Sequence, residues 1–168
     1  MAYLNNTELL AHLSQSLGEK ILNQEDTFGM LCIEVNRNEI VDIISNLKSD
    51  ENLKMQFLTD LCGIHYPDNK GKELGVVYHL HSLENNIRLR LKTFFSIEDP
   101  TCPTLTSVFD AANWMERETF DFYGIQFQGH PDLRRILNMD SMDYHPMRKE
   151  YALEDETRTD KSDKFFGR

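Results

Sequence analysis

The sequence predicts an α/β chain of the α+β kind: a roughly four-stranded, mainly antiparallel sheet with helices on one face, followed by an extended C-terminal tail. Three observations predict it. Residues 87–95 alternate cleanly, with Ile87, Leu89, Leu91, Thr93 and Phe95 facing one way and Arg88, Arg90 and Lys92 the other. A strand with one apolar and one charged side fits a sheet covered on a single face, which is usually antiparallel. Helical spacing of apolar residues recurs near the N-terminus and again around residue 40. From Asn138 onward the periodicity stops and the chain becomes mostly polar.

The elements follow in order. Leu9, Leu10, Leu13 and Leu17 stand at helical spacing over residues 7–17, with Thr7 as the expected cap. Residues 28–35 (FGMLCIEV) read as a buried strand. Asn36 is placed to start a second helix, with Glu39 as its capping-box partner and Ile40, Ile43, Ile44 and Leu47 as its apolar face. Residues 55–64 read as a second strand, and His65 to Lys72 as a loop. Strands at 74–83 and 87–95 join through Asn85-Asn86, which tolerates the positive φ of a tight hairpin. A helix from about 107 to 123 stops at Gly124, with Val108, Ala112, Met115, Thr119 and Phe122 as its packing stripe. Residues 1–137 thus form the predicted domain and 138–168 the tail, whose length of about 100 Å when extended exceeds the domain's radius of gyration of ~14 Å. Met139, Met142, Tyr144, Met147, Tyr151 and Phe165-Phe166 are scattered along it without period, too few to form a core of their own.

Composition excludes several classes. The 168 residues carry a net charge of −10, which opposes binding to nucleic acid or to an anionic membrane surface. No apolar run approaches the ~20 residues of a membrane span, and MAYLNNTELL does not read as a secretory signal. The three cysteines, at 32, 62 and 102, have neither the spacing of a zinc site or iron–sulfur cluster nor that of a disulfide framework. They read as buried thiols in a reducing cytoplasm.

Residues 116–137, ERETFDFYGIQFQGHPDLRRIL, mix charges and aromatics more densely than a solvated helix or an apolar core requires. Glu116-Arg117-Glu118, Asp121-Phe122-Tyr123, His130, Arg134, Ile136 and Leu137 resemble the signature of the C-type (NuoC) subunit of proton-pumping NADH:quinone oxidoreductase, respiratory complex I. Similar matches are Asp60-Leu61-Cys62-Gly63, Tyr66-Pro67, Val77 to Leu80, Arg88 to Lys92 and Ala111 to Trp114. His145-Pro146 and Arg148 to Tyr151 extend them, so the resemblance covers roughly residues 28–151. It implies a structural component of the hydrophilic arm, peripheral on the cytoplasmic side of the bacterial inner membrane. That component holds no cofactor, while NADH, FMN, iron–sulfur clusters and quinone belong to its partners. The implied partner is the homologue of the D-type subunit of complex I, with the B-type and I-type subunits as further neighbours and the membrane reached only through the complex. Implied contact residues are Glu116, Arg117, Glu118, Asp121, Tyr123, His130, Arg134, Arg135, His145, Arg148 and Lys149. The equivalent component of a related membrane-bound hydrogenase would carry much the same pattern.

Read as chemistry alone, Glu116, Glu118 and Asp121 suit an ion-paired helix face better than an acid–base site, and Arg117 is four residues from Asp121, as an ion pair requires. His79 and His81 share one face of a strand, so a soluble metal-dependent enzyme is the competing class, although no third ligand can be assigned. The basic pairs Arg134-Arg135 and Arg148-Lys149 suit contacts with carboxylates or main-chain carbonyls of a neighbouring protein. No glycine-rich phosphate loop, GxSxG or HExxH motif is present.

Overall fold

The computed structural model describes residues 5–151. The rest of the expected tail, 152–168 with Phe165-Phe166, lies outside the described residues. Helix α1 (Asn6–Leu17) is capped by Asn5, whose side chain accepts from the Glu8 amide while the Glu8 carboxylate accepts from the Asn5 amide. The cap is therefore Asn5 and not Thr7. Only Asn5 has an acid three residues on to close the reciprocal pair; Thr7 has Leu10 there. Leu9, Leu13 and Leu17 form the buried face.

The main sheet has five strands, one more than expected, in the order β1-β2-β5-β4-β3. The additional strand is β1 (Ile21–Thr27), hairpinned to β2 (Met30–Val35). Its sequence, ILNQEDT, has no apolar alternation because it is an edge strand, exposed at most positions. Polar and charged side chains on such an edge discourage pairing with another chain. Strands β3 (Phe57–His65), β4 (Leu74–Ser82) and β5 (Ile87–Phe95) form an antiparallel meander. β2 joins β5 in parallel, so the sheet is mixed. Helix α2 (Ile40–Ser49) carries the chain from β2 across the sheet to β3 at its far edge and buries Ile40, Ile43, Ile44 and Leu47. Asn36 caps the short 3₁₀ turn ahead of it by accepting from the Asn38 amide. Glu39 is not its reciprocal partner; the carboxylate pairs instead with Lys20 at 3.2 Å.

The alternation of β5 sets the layers. Leu89 and Leu91 are fully buried with Leu31, Ile33, Leu61 and Tyr78 beneath the helices. The opposite face carries charged and polar groups. There Lys92 pairs with Glu25 at 2.5 Å, Lys72 with Glu34 at 2.6 Å, and Arg90 Nε donates to His79 Nε2 at 2.9 Å. The cysteines are free, in β2, in β3 and in the short β6 (Thr101–Pro103). β6 pairs in parallel with β7 (Gln126–Gln128), and helix α3 (Ala112–Tyr123) connects the two. α3 starts at Ala112, later than expected, because residues 105–112 run through tight turns with Leu105 fully buried.

α3 lies against β3 through Gly63. A Cβ at that position would stand 2.4 Å from Cδ2 of Tyr123, so glycine is what lets the ring lie on the strand. We expect Gly63→Ala to destabilise the chain by about 1–3 kcal/mol through this overpacking. Urea unfolding would measure the loss. In a Tyr123→Ala background the added cost of Gly63→Ala should shrink, since the obstructing ring is gone; an undiminished cost would count against the contact.

Candidate functional site

Three of the four charged residues of α3 point inward, and Glu118 does not. Glu116 and Asp121 are fully buried, Arg117 nearly so, and all three join Ala112 and Thr119 on the buried face. The expected stripe is thus interrupted by charge, and Val108, Met115 and Phe122 are only half-buried.

Asp121 is the hub. Its Oδ1 accepts from Arg135 Nη1 at 2.6 Å. Its Oδ2 accepts three consecutive main-chain amides, Ile136 at 3.1 Å and Leu137 and Asn138 each at 2.9 Å. Burial alone would raise its pKa, but the Asn138 and Leu137 amides, Arg135 and the Ile136 amide together hold it well below the usual carboxylate range. Arg117 does not pair with Asp121, contrary to the four-residue spacing. Its Nε donates to the Arg134 carbonyl at 3.2 Å and its Nη2 to the Arg135 carbonyl at 3.1 Å, with the guanidinium 5.0 Å from the Trp114 ring centroid. Both side chains bond the 134–138 segment in preference to each other, because that segment offers amides to the acid and carbonyls to the base.

Arg135 and the chain from His145 to Arg148 cap the end of α3. Arg135 Nη1 and His145 Nδ1 reach the Asp121 carbonyl at 3.1 and 3.0 Å. The Met147 amide donates to the Phe122 carbonyl at 3.1 Å. Arg148 Nε donates to the Tyr123 carbonyl at 2.7 Å. These are orphan carbonyls at a helix C-terminus, where cationic donors are favourable. Gly124, at φ 74°, ends the helix, and a Cβ there would lie 2.5 Å from the His145 ring. Its role as the floor under His145 and Arg148 was not legible in sequence beyond its helix-stop position. Arg135 also donates to the Met142 and Tyr144 carbonyls at 2.8 and 3.0 Å, so one guanidinium organises three stretches of chain.

The remaining expected residues are distributed around this hub. His130 donates from Nε2 to the Asn113 carbonyl and accepts the Asp132 amide at Nδ1, at 3.1 and 3.0 Å. The Arg134 side chain is exposed and pairs with Asp132 at 2.9 Å. Glu118 is exposed and stands apart from the network. The Lys149 amide donates to His65 Nδ1 at 3.0 Å, and its ammonium lies 5.3 Å from the Tyr66 ring. Nothing in the sequence pointed to His65, a buried side chain at a strand end.

Glu116 is a separate case. It accepts from the Leu105 amide at 2.6 Å and the Thr104 hydroxyl at 2.5 Å, with no cation beside it among the described residues. Burial pushes its carboxyl up to about 7, against the hydrogen bonds from Thr104 and Leu105. Among the described residues no group of three or more His, Cys, Asp and Glu is arranged to hold a metal ion, and His79 and His81 gain no third ligand.

The arrangement defines a structural module: its buried charges hold main-chain segments in place, with Leu137, Met139 and Met147 exposed on them. Residues 33–157 match the family described as respiratory-chain NADH dehydrogenase, 30 Kd subunit. The chain is 41% identical over 144 residues to the C-type subunit of the NADH-quinone oxidoreductase of Xanthobacter autotrophicus, covering 86% of this chain and 68% of that one. It is 39% identical over 151 residues to the C-type subunit of Burkholderia multivorans, covering 86% and 76%. Among solved structures, the trypsin-resistant fragment (1-134) of Nqo5 superposes with a TM-score of 0.65 at 31% identity, over 74% of this chain and 98% of that one. A chain of an archaeal respiratory membrane complex, the membrane-bound sulfane sulfur reductase, shares the fold with a TM-score of 0.73 at 20% identity, over 88% and 85%. The chain belongs to the 30 kDa subunit family of respiratory NADH dehydrogenase, the C-type subunits of complex I, and its role is structural support of electron transfer in the hydrophilic arm.

Two pH effects of opposite sign follow. Glu116 is neutral in both folded and unfolded chains below its ordinary value of 4.5, so its contribution is fully present there and is lost as pH rises through about 7. That loss amounts to about 3 kcal/mol. Asp121 contributes above its ordinary value of 3.8 and loses that contribution as pH falls below it. Urea unfolding across a pH series should show Glu116→Gln flattening the decline between pH 4.5 and 7, because glutamine can donate to Thr104 as the protonated acid does; an unchanged slope would refute the assignment. Asp121→Asn should cost about 3–5 kcal/mol at pH 7 by leaving Arg135 without its anion.

Proposed function

We propose that the α3 end and the segment from Arg134 to Tyr151 form the surface that docks on the homologue of the D-type subunit, with the B-type and I-type subunits as further neighbours. The observation that carries this reading is a set of large apolar side chains held outward on a tightly bonded backbone. Trp114 is 61% exposed, Leu137 66%, Met139 70% and Met147 49%. Exposed apolar groups on α3 and on the backbone its charges hold suit a protein interface. In this reading Asp121, Arg117, Arg135, His145 and Arg148 hold the surface from behind. Glu118, Arg134 and Lys149 supply charge at its rim, and Glu116, Tyr123 and His130 fix α3 to its neighbours. Residues 1–137 act as the α+β domain and 138–168 as the partner-binding tail.

The chain carries no redox centre in this assignment; flavin, iron–sulfur clusters, NADH and quinone belong to partner subunits. It sits on the cytoplasmic side of the bacterial inner membrane and reaches the membrane only through the complex. No helix among the described residues is long and apolar enough to cross a bilayer, which agrees with a peripheral place. Acidic net charge supports protein partners over nucleic acid.

A tagged chain purified from membranes should bring down the D-type homologue, identified by mass spectrometry; its absence from an otherwise intact preparation would overturn the reading. Leu137→Glu changes an exposed side chain and keeps the amide that bonds Asp121. It should leave the isolated chain's stability within about 0.5 kcal/mol. It should nevertheless reduce assembled complex on native gels, with NADH:quinone turnover per assembled complex unchanged.

A further inference from the structure

At the opposite edge of the sheet from α3, the β1–β2 hairpin turns through Phe28 and Gly29, at φ 54° and 78°. Thr27 pairs directly with Met30, so the loop has two residues, both left-handed. Asn-Gly or Asp-Gly fills such a turn with least strain. Phenylalanine at positive φ crowds its own backbone, and this ring is in addition fully solvent-exposed, at 104%. Two unfavourable features thus coincide on one residue, and among the described residues no packing offsets them.

The tip is also held firmly. The Asp26 carboxylate accepts the Gly29 amide at 3.1 Å and the Asn6 side-chain amide at 2.7 Å. The same Asn6 nitrogen donates to the Gly29 carbonyl at 3.0 Å. Asn6 is the first residue of α1, whose cap is closed by Asn5 and Glu8. A side chain presented on a backbone bolted to a helix loses little freedom when it docks. Asp26 and Glu8 give the surroundings acidic groups, and the chain's net charge of −10 disfavours an anionic lipid surface.

We propose that Phe28 is the anchor of a second docking surface, seated in an apolar pocket of a neighbouring protein whose rim offers N–H or basic groups to Asp26 and Glu8. The proposal rests on the reading that the chain works inside a multi-subunit complex, and it makes the domain a spacer gripped at both sheet edges. The test places a photoreactive benzoyl-phenylalanine at position 28 of the full tagged chain in cells, irradiates, and purifies the complex. Co-purification of the complex with the unmodified tagged chain is scored first; its failure would sink the functional reading and this proposal together. With the complex recovered, the expected result is one cross-linked partner protein, with the adduct in an apolar pocket. A cross-link to lipid, or none to any protein, overturns the Phe28 proposal alone. In parallel, Phe28→Asn suits the left-handed turn and should leave the isolated chain's Tm equal or higher. It should also lower incorporation into the complex at least tenfold. Unchanged incorporation overturns the proposal.

Discussion

A carboxylate removed from water needs replacement for every hydrogen bond that water supplied, and at Asp121 the replacements come almost wholly from one stretch of chain. Three successive amides and a guanidinium from residues 135–138 converge on it. An anion bound this way dictates the path of the backbone that binds it, much as a phosphate organises a nest of amides. Once residues 135–138 are fixed, the carbonyls of Arg134 and Arg135 are in place for Arg117, and Arg135 is in place for the carbonyls of Met142 and Tyr144. The course of the chain after β7, which contains no further helix or strand up to Tyr151, is thereby set by one acid on α3.

Glu116 and Asp121 stand on the same helix, both fully buried, and their carboxyls move in opposite directions. The difference is the number and kind of donors. Glu116 has one amide and one hydroxyl, which do not outweigh desolvation. Asp121 has three amides and an arginine, which do. Only the second carboxylate is a strong organiser at neutral pH. The first titrates near neutrality and holds the turn at Thr104 and Leu105 in either protonation state, since the Thr104 hydroxyl can donate to the anion or accept from the acid.

The strands β3, β4 and β5, the face of α2 and the stop at Gly124 were legible because each leaves a local mark: alternation, helical spacing, a glycine at a left-handed cap. β1 left none, since an edge strand exposed at most positions needs no apolar pattern and is defined by its backbone pairing to β2. The charged signature of 116–137 was visible as anomalous, but its pairing was not. Arg117 and Asp121 at four-residue spacing suggest each other, and sequence spacing carries no information about a loop fourteen or more residues away that bonds both more completely. Glu116's partners, Thr104 and Leu105, lie N-terminal to the helix and were hidden for the same reason.

The distribution of charge also suits the proposed role of a small acidic domain as a connector. Surface ion pairs contribute little to stability and are screened by salt. Here the strong polar contacts lie beneath the surface, at Asp121, Arg117 and Arg135, while Trp114, Leu137 and Met139 remain apolar and exposed. In the proposed docking role, that inversion would hold the surface in place without putting unpaired charges where a partner would have to desolvate them. Gly63 and Gly124 complete the arrangement: the first lets Tyr123 settle on β3, and the second lets His145 and Arg148 close over the end of α3. The helix, the sheet edge and the segment that follows are thus one unit, and a change to any of the buried charges alters the surface by moving backbone.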